Sequence, residues 1–329
     1  MKLTDFDYFL PKELIAQYPL KNRDAARMLV VNRTSAKLGH CVFSDILKYL
    51  KAGDLLILND TKVLPGRLIG KRATGGRVEI LLLGQADGMH FNALLKPGRL
   101  KIGEKINFEG SGIVAEITGR QQVRFNSSDA SAIYGIGQIP LPPYIKREPV
   151  ELDKDYYQTV YADKAGAIAS PTAGLHFTDS LLNDLKSSGI KIGMVTLHVG
   201  HATFKPVTSE DVLSHKMSSE EFVIPEETIA LIDQAKASQK RVIAVGTTSL
   251  RVIETYALGK KSGHTDLFIY PGFKFRIADG LLTNFHLPKT TLFMLVCAFA
   301  GETLAKDAYR RAIDERYRFY SYGDAMLIL

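Results

Sequence analysis

The stretch IAVGTTSLRVIE (243–254) passes from an apolar run to a helical pattern through one short turn. The residues from Arg241 to Val245 have the composition of a buried strand, and those from Ser249 to Leu258 have the spacing of a helix. A buried strand that leads directly into a helix is typical of a sheet with helices on its faces. This stretch therefore predicts the fold class, an α/β protein.

The turn inside this stretch is a candidate anion site. Thr247, Thr248 and Ser249 lie where the free backbone N–H groups and the dipole of a helix start would meet a carboxylate or a phosphate. Arg251, one helical turn further on, could clamp the same anion. The patterns GxGxxG and GxxxxGK followed by Ser or Thr are absent, so this is neither a dinucleotide turn nor a P-loop. Simple capping of the helix is the alternative.

Strands and helices alternate on both sides of this turn. Thr178 is expected to cap a helix, and Gly189 is expected to end it. Further strands are predicted at DLLILND (54–60), IKIGMVTLHV (190–199), TDLFIY (265–270) and GLLTNF (280–285), and further helices begin at Pro225, Thr290 and Glu302.

Residues 67–126 have a different pattern, with short alternating segments separated by glycine-rich turns about every ten residues. This pattern predicts a small all-β barrel or sandwich, of which we expect the antiparallel β-barrel. The simplest architecture is an α/β main domain, β/α barrel-like with mixed strands and helices, made of residues 1–61 plus 151–329. The β-barrel domain is then inserted as residues 62–150.

Composition limits the class of protein. The 329 residues exceed the roughly 250–300 at which one core stops growing, which favours two domains. The longest apolar run, residues 292–300, is far shorter than the roughly 20 residues of a membrane helix, and no signal peptide is evident. We therefore expect a cytoplasmic protein. Two cysteines cannot form a disulfide framework or a CxxC metal site, and the net charge of +7 favours a polyanionic partner such as nucleic acid.

Histidines lie near the ends of three predicted strands, one of which ends at residues 168–170. His176 lies in SPTAGLHFT (170–178), His198 in TLHVGHATFKPV (196–207) and His286 in NFHLPKTT (284–291). Ligands of α/β folds usually bind at the strand ends, which makes these histidines candidates for proton transfer. A purely structural role of each turn is the alternative, and the sequence alone leaves the two readings level.

A metal site at His198 and His201 is disfavoured. If the strand continues, their separation of three places the two side chains on opposite faces of the sheet. The sequence also lacks an HExxH motif and a cysteine cluster, so zinc is not expected.

The chain as a whole resembles the S-adenosylmethionine:tRNA ribosyltransferase-isomerase family of queuosine biosynthesis. Eight ordered segments carry the resemblance: NDTKVLPGRL (59–68), PLPPYI (140–145), ASPTAGLHF (169–177), VTLHVGHATFKPV (195–207), AVGTTSLR (244–251), FIYPGF (268–273), TNFHLPKTTLFMLVCAFAG (283–301) and RFYSYGDAMLI (318–328).

This resemblance implies a reaction. The ribosyl part of S-adenosylmethionine moves to the aminomethyl group of a 7-deazaguanine base at the wobble position of tRNA, and adenine and methionine leave as epoxyqueuosine forms. It further implies that the partners are the anticodon stem-loop of tRNA and S-adenosylmethionine as co-substrate, with no metal and no permanently bound cofactor. A monomer or a weak homodimer is expected.

The resemblance also suggests residue roles. Expected catalytic residues are His176, His198 and His286. Expected S-adenosylmethionine-binding residues are Thr172, Ala173, Gly174, Gly246, Thr247, Thr248 and Arg251. Phosphates of tRNA are expected to contact Arg67, Lys71, Arg316 and Arg318, with Arg72 and Arg77 as further candidates. Tyr322 and Asp324 are weaker active-site candidates.

Two positions depart from the family pattern. His201 and Ala202 stand where a small or aliphatic residue and Gly are usual, so His201 is expected to have no essential role. In SHKMSSEEF (214–222), Ser218 stands where the family commonly has a second histidine.

Two other functions remain alternatives. One is an S-adenosylmethionine-dependent tRNA methyltransferase, although its usual glycine-rich loop is missing. The other is a non-enzymatic tRNA-binding protein in which the histidine turns are structural. Release of adenine distinguishes the expected reaction from both.

Overall fold

The computed structural model describes residues 1–200, 207 and 209–329. In these residues the strands are β1 (Arg27–Asn32), β2 (Lys37–Val42), β3 (Leu55–Asn59), β4 (Thr61–Val63), β5 (Arg67–Arg72), β6 (Arg77–Asp87), β7 (His90–Lys96), β8 (Lys105–Asn107), β9 (Val114–Gly119), β10 (Gln122–Phe125), β11 (Lys164–Ala167), β12 (Lys191–Leu197), β13 (Glu220–Val223), β14 (Val242–Val245), β15 (Ser262–Thr265), β16 (Gly280–Asn284) and β17 (Ala325–Ile328). The helices are α1 (Ala130–Gly135), α2 (Glu151–Tyr156), α3 (Asp179–Ser187), α4 (Glu226–Ala237), α5 (Gly246–Tyr256), α6 (Thr291–Ala300) and α7 (Glu302–Asp314).

A nine-stranded mixed sheet forms the large part of the molecule, in the order β15-β13-β12-β3-β14-β16-β17-β1-β2. Its four neighbouring strands β12, β3, β14 and β16 run parallel to one another. Their carboxyl ends therefore meet at one edge of the sheet, where α/β proteins usually bind ligands.

Both faces of this sheet are buried, which explains the continuous apolar runs of its central strands. Successive side chains of β3 point to opposite faces: Leu55 and Ile57 pack in one core with α4, α6 and α7, whereas Leu56 and Leu58 pack in a second core with α3. The sheet is thus the middle layer between two layers of helices.

The inserted module is a closed antiparallel barrel of six strands, in the order β10-β7-β6-β5-β8-β9. Pairing of β10 with both β7 and β9 closes the ring. Alternate residues of β6, Val78, Ile80 and Leu82, point into a core of the barrel's own. The barrel therefore has its own apolar interior, while the predicted limits of 62 and 150 stay a prediction.

The α/β class with an inserted antiparallel barrel is confirmed. The large sheet runs from an edge at β15 to an edge at β2, so its strands do not form the closed ring of a β/α barrel. Thr178 caps α3 by accepting a hydrogen bond from the backbone N–H of Leu181 at 3.1 Å, as predicted. Within the described residues, no helix is long and apolar enough to cross a membrane.

Two element limits differ from those predicted. Helix α5 begins at Gly246, three residues before the predicted start, so Thr247 and Thr248 lie inside its first turn. The TDLFIY segment contributes Thr265 to strand β15, whereas residues 266–270 adopt no regular structure. Leu267, Phe268 and Ile269 instead line a cavity, which explains their apolar character.

Candidate active site

The first turn of α5 lies at the carboxyl edge of the large sheet. Gly246 has φ +89°, a conformation that favours glycine, and this lets β14 turn directly into the helix. The side chain of Asn59, at the end of β3, donates a hydrogen bond to the Thr248 hydroxyl at 3.3 Å. The N–H groups of this first turn have no acceptor within the helix, so they can bind an anion.

A small cavity opens in front of this turn. Its walls come from four segments that follow strands β11, β12, β14 and β16, and from the C-terminal segment. Its polar and aromatic lining residues include Ser170, Thr248, Asn284, His286, Tyr144 and Tyr320. Four loops that are distant in sequence thus meet in one site, as the strand-end argument predicts.

A large cavity adjoins the small one, and the two share Thr247, Thr248 and Leu292 as lining residues. Its volume of about 560 Å³ lies in the roughly 300–1,000 Å³ range of small-molecule sites. Other lining residues are His215, Ser218, Glu220, Arg251, Phe268 and Leu295. The two cavities therefore meet at the first turn of α5.

A buried ion pair lies at the wall of the large cavity. The Arg251 guanidinium bonds the Glu220 carboxylate, and the two side chains are only 6% and 5% exposed. Arg251 also donates to the backbone oxygen of Leu267 at 3.0 Å, and the other Glu220 oxygen accepts from the backbone N–H of Gly200 at 2.9 Å. The cavity thus presents a fixed positive and a fixed negative group side by side.

His286 is a predicted catalytic residue that lines the small cavity. Its Nε2 lies 2.9 Å from the Thr283 hydroxyl, and its backbone is held by the hydroxyls of Tyr8 and Tyr309. Burial lowers the pKa of His286 to about 3, so the imidazole is neutral at neutral pH.

His176 lies behind the small cavity and lines a third cavity, which meets the small one at Ser321. Its Nε2 lies 3.2 Å from the Asn284 side-chain nitrogen, and its ring packs 5.0 Å from that of Phe43. Burial lowers the pKa of His176 to about 4. The structure therefore joins His176 to the small cavity through Asn284.

His198 lies on the side of the short β4–β11 ribbon. Its Nδ1 is 2.8 Å from the Thr61 hydroxyl, and a methyl group at Gly166 would stand only 2.7 Å from its ring. The ring thus packs against backbone, away from the walls described above for the small and large cavities. His201, the second histidine of the disfavoured metal pair, lies outside the described residues.

Most of the predicted S-adenosylmethionine-binding residues meet at these cavities. Thr172, Ala173, Gly246, Thr247 and Thr248 line the small cavity, and Arg251 lines the large one. Gly174 instead packs against the Tyr161 hydroxyl and Thr159, where a Cβ atom would overlap the hydroxyl.

The predicted tRNA-binding cations differ in how available they are. Arg67 forms ion pairs with Glu79 at 2.8 Å and Glu148 at 2.7 Å, and Lys71 pairs with Glu109 at 2.8 Å. The further candidates Arg72 and Arg77 pair with Glu104 and Glu148.

The candidate residues near the C-terminus differ in their exposure and in their contacts. Arg316 is exposed, whereas Arg318 is half-buried and donates to the backbone oxygen of Tyr18. Tyr322 donates to Asp153 at 2.7 Å, and Asp324 accepts backbone N–H groups of Arg27 and Arg318. The contacts of Tyr322 and Asp324 are those of residues that hold the C-terminal segment in place.

Sequence reasoning missed several residues of the two cavities. Asn284 lies in the predicted strand GLLTNF (280–285) and Tyr144 in the segment PLPPYI (140–145), and neither residue was expected to line a site. Tyr320 has φ +74°, an uncommon conformation for a large side chain, and its ring centroid lies 3.8 Å from that of Tyr144. Glu220 was also missed. The sequence signal that could have found it is its position in SHKMSSEEF (214–222), the segment in which Ser218 departs from the family pattern.

In the part of the chain that the structure describes, no cluster of three or more His, Cys, Asp or Glu side chains is arranged to hold a metal ion.

The fold and the two cavities define an α/β protein with a candidate small-molecule site at the carboxyl edge of its sheet. The chain belongs to the queuosine biosynthesis protein family, whose model matches residues 3–328. It is 51% identical to the S-adenosylmethionine:tRNA ribosyltransferase-isomerase of Sulfurihydrogenibium sp. and 49% identical to that of Staphylococcus epidermidis, in each case over all of both chains. A crystal structure of S-adenosylmethionine tRNA ribosyltransferase from Thermotoga maritima is 36% identical, with a TM-score of 0.58, over 99% of this chain and 100% of that one.

Proposed function

We propose that this protein is an enzyme that transfers and isomerises the ribosyl part of S-adenosylmethionine onto the 7-aminomethyl-7-deazaguanine base of tRNA. The products are epoxyqueuosine-tRNA, adenine and methionine. The observation that carries this conclusion is the end-to-end similarity to relatives that are named for this activity. The joined cavities agree with it, since they offer both an ion pair and a polar, aromatic pocket to one ligand.

The amino-acid end of S-adenosylmethionine fits the large cavity. It carries a carboxylate and an ammonium group, and the wall offers Arg251, the first turn of α5 and Glu220. We assign Thr247, Thr248 and Arg251 to the carboxylate and Glu220 to the ammonium group. Thr172, Ala173 and Gly246 then line the path toward the small cavity, and Gly174 supports that path from behind.

The reaction needs a group that accepts a proton from C5′ beside the sulfonium before adenine leaves and the aminomethyl nitrogen joins the ribosyl group. A neutral imidazole can accept a proton, and the burial that lowers the pKa of His286 to about 3 makes it a weaker base than a free imidazole. We assign this contact to His286, because its ring lines the small cavity. His198 and His176 remain candidates from the sequence, and they would act from behind the cavity wall.

The tRNA substrate must present its wobble base to these cavities, and proteins usually achieve this by splaying a loop base out of its stack. The aromatic rings of Tyr144 and Tyr320 lie at the small cavity. For the anticodon stem-loop phosphates we propose Arg316, Arg318, Lys71 and Arg67. Arg316 and Lys71 are both exposed, and Lys71 pairs with Glu109, so Arg316 is the first cation to test.

We further propose that the reaction uses no metal and no permanently bound cofactor, because the sulfonium of S-adenosylmethionine itself activates the neighbouring carbons. A cytoplasmic location and a monomer or weak homodimer complete this proposal.

The test incubates the protein with S-adenosylmethionine and a tRNA that carries the aminomethyl base, and measures adenine by chromatography and the tRNA nucleosides by mass spectrometry. Wild-type protein is expected to give equal amounts of adenine and epoxyqueuosine, and a tRNA with unmodified guanine is expected to give neither. His286→Gln is expected to lower the rate strongly, whereas His264→Gln, at an exposed position of β15, serves as the matched control.

A gain of one methyl group without adenine would instead establish the methyltransferase. Binding of tRNA without any chemical change would establish the non-enzymatic alternative.

A further inference from the structure

Asn284, the last residue of β16, carries an unsatisfied hydrogen-bond acceptor at the small cavity. The residue is only 2% exposed, and its side-chain nitrogen donates to the backbone oxygen of Tyr320 at 3.1 Å and faces His176 Nε2 at 3.2 Å. Its oxygen Oδ1 has no hydrogen-bond partner among the residues that the structure describes. The hydroxyl of Ser170, which lines the same cavity and is 5% exposed, is likewise unpartnered in the described chain.

Asn59 shows how a buried asparagine at another strand end of the same sheet is paired. Asn59 ends β3, two strands from β16 in the same sheet, and it is equally buried. Its Oδ1 accepts from the backbone N–H groups of Thr61 and Leu197, and its nitrogen donates to the oxygen of Leu197. Buried polar atoms are normally paired in this way, so the unpaired oxygen of Asn284 points to a ligand that supplies the missing donor.

The neighbours of Asn284 fix the orientation of its amide. If the amide were reversed, its oxygen would face the carbonyl oxygen of Tyr320, which repels it. Burial lowers the pKa of His176 to about 4 and outweighs the opposing effect of its hydrogen bond to the Arg23 backbone. A neutral His176 with its proton on Nδ1 leaves Nε2 as an acceptor for the amide nitrogen.

We infer that Asn284 and Ser170 together bind the edge of an amino-bearing nucleobase at the small cavity, whose volume of about 60 Å³ admits that edge and not the whole base, and that His176 is the positioning residue that holds the Asn284 amide. The exocyclic N–H of the base donates to Asn284 Oδ1, and a ring nitrogen beside it accepts from the Ser170 hydroxyl. Adenine has such an edge, and so has the 2-amino side of 7-deazaguanine. The inference rests on the proposed function, and it assigns to His176 a role other than proton transfer.

The first experiment measures equilibrium binding of free bases to the full-length protein by calorimetry. The probes are adenine and purine, which differ only in the 6-amino group, and 7-aminomethyl-7-deazaguanine and its analogue without the 2-amino group. For the base that occupies the cavity, loss of the amino group is expected to weaken binding roughly three- to tenfold in the wild type and to have no further effect in Asn284→Ala. The pair that shows this pattern identifies the source of the base.

The matched control is Asn126→Ala, which removes an asparagine with two backbone hydrogen bonds in the barrel and is expected to leave base binding unchanged. If Asn284→Ala is too unstable to measure, Ser170→Ala and His176→Phe test the same contact. Equal affinities of a base and its analogue without the amino group, for both pairs in the wild type, would overturn the inference.

The second experiment tests the positioning role through steady-state kinetics. His176→Gln keeps an acceptor for the amide, so it is expected to retain kcat within about threefold, with an unchanged pH–rate profile and a modestly raised KM. His176→Phe removes the acceptor and is expected to raise KM further. Loss of kcat in His176→Gln together with loss of one limb of the pH profile would overturn the positioning role.

The binding assay needs no turnover, which separates this inference from the proposed function. If wild-type protein releases no adenine but the amino-dependent binding is present, the proposed activity is wrong and the base contact stands. If adenine is released but binding is independent of Asn284, the activity stands and the base contact is wrong.

Discussion

Removal of the Glu220 carboxylate is expected to destabilise the protein more than any single surface change. In Glu220→Ala, the Arg251 guanidinium stays buried and still donates to two backbone oxygens, those of Leu267 at 3.0 Å and Thr265 at 3.4 Å. An uncompensated buried charge of this kind costs about 3–5 kcal/mol. At roughly 2 °C per kcal/mol for a chain of this size, the unfolding midpoint falls by about 6–10 °C.

Glu220→Gln removes the negative charge of Glu220 but keeps a side chain of the same size beside Arg251. The amide oxygen can still accept a hydrogen bond from Arg251, but the guanidinium loses its counter-charge and the amide nitrogen then faces the Gly200 N–H, so the expected loss is smaller than the about 3–5 kcal/mol of Glu220→Ala but not zero. If Glu220 binds the ammonium group of S-adenosylmethionine, this variant also raises the dissociation constant of that ligand about tenfold or more. A stability loss without weaker ligand binding would limit the pair to a structural role.

The assay is thermal unfolding followed by circular dichroism, at low salt and at 1 M salt, with ligand binding measured by calorimetry. Glu109→Gln is the matched control, because Glu109 forms a solvent-exposed ion pair with Lys71 and its side chain is 82% exposed. We expect that control to unfold like the wild type. A Glu220→Ala midpoint within 2 °C of the wild type, or a loss that disappears at high salt, would refute the claim that the pair is shielded from water.

Three further predictions follow from individual contacts. Gly174→Ala places a methyl group on the Tyr161 hydroxyl and is expected to cost about 1–3 kcal/mol in urea unfolding, part of which Tyr161→Phe restores. Arg316→Ala is expected to weaken tRNA binding and to reduce the slope of log K against log salt concentration by about one. Arg67→Ala breaks two ion pairs and is expected mainly to lower the stability of the barrel. Equal salt slopes for Arg316→Ala and wild type would contradict this prediction. The buried His176 has a pKa of about 4, against about 6.5 in the unfolded chain, so it opposes folding progressively as the pH falls from 6.5 toward 4. Over this range the unfolding free energy of wild type is expected to fall by up to about 1.4 kcal/mol per pH unit more than that of His176→Gln. Parallel curves of unfolding free energy from pH 7.5 to 5 would show that the ring is hydrated.

The sequence predicted the fold well where local pattern and burial agree. The runs of β3, β14 and β16 are apolar throughout because both faces of the sheet are covered, and the alternation in β6 matches a barrel with one buried face. The early start of α5 was missed because it depends on the positive φ of Gly246, which no periodicity reports. The residues after Thr265 were taken for a strand because apolar side chains that line a cavity resemble those that line a core.

The site was predictable in its location more than in its contacts. Strand-end turns brought Thr248 and His286 to one edge, as the topology requires. Which way each side chain points depends on distant partners: Thr61 holds the ring of His198, and Asn284 stands between His176 and the cavity. The ion pairs of Arg67 likewise depend on barrel pairing that single residues do not reveal.

Strand β17 has a consequence for how the protein is made. It lies between β16 and β1, so the hairpin of β1 and β2 joins the rest of the large sheet through a strand that follows all the others along the chain. The barrel strands, by contrast, all lie between residues 67 and 125 and need no later segment to close their ring. On the ribosome, the barrel can therefore fold early. The β1–β2 hairpin, by contrast, can join the large sheet only after residues 325–328, which form β17, have been synthesised.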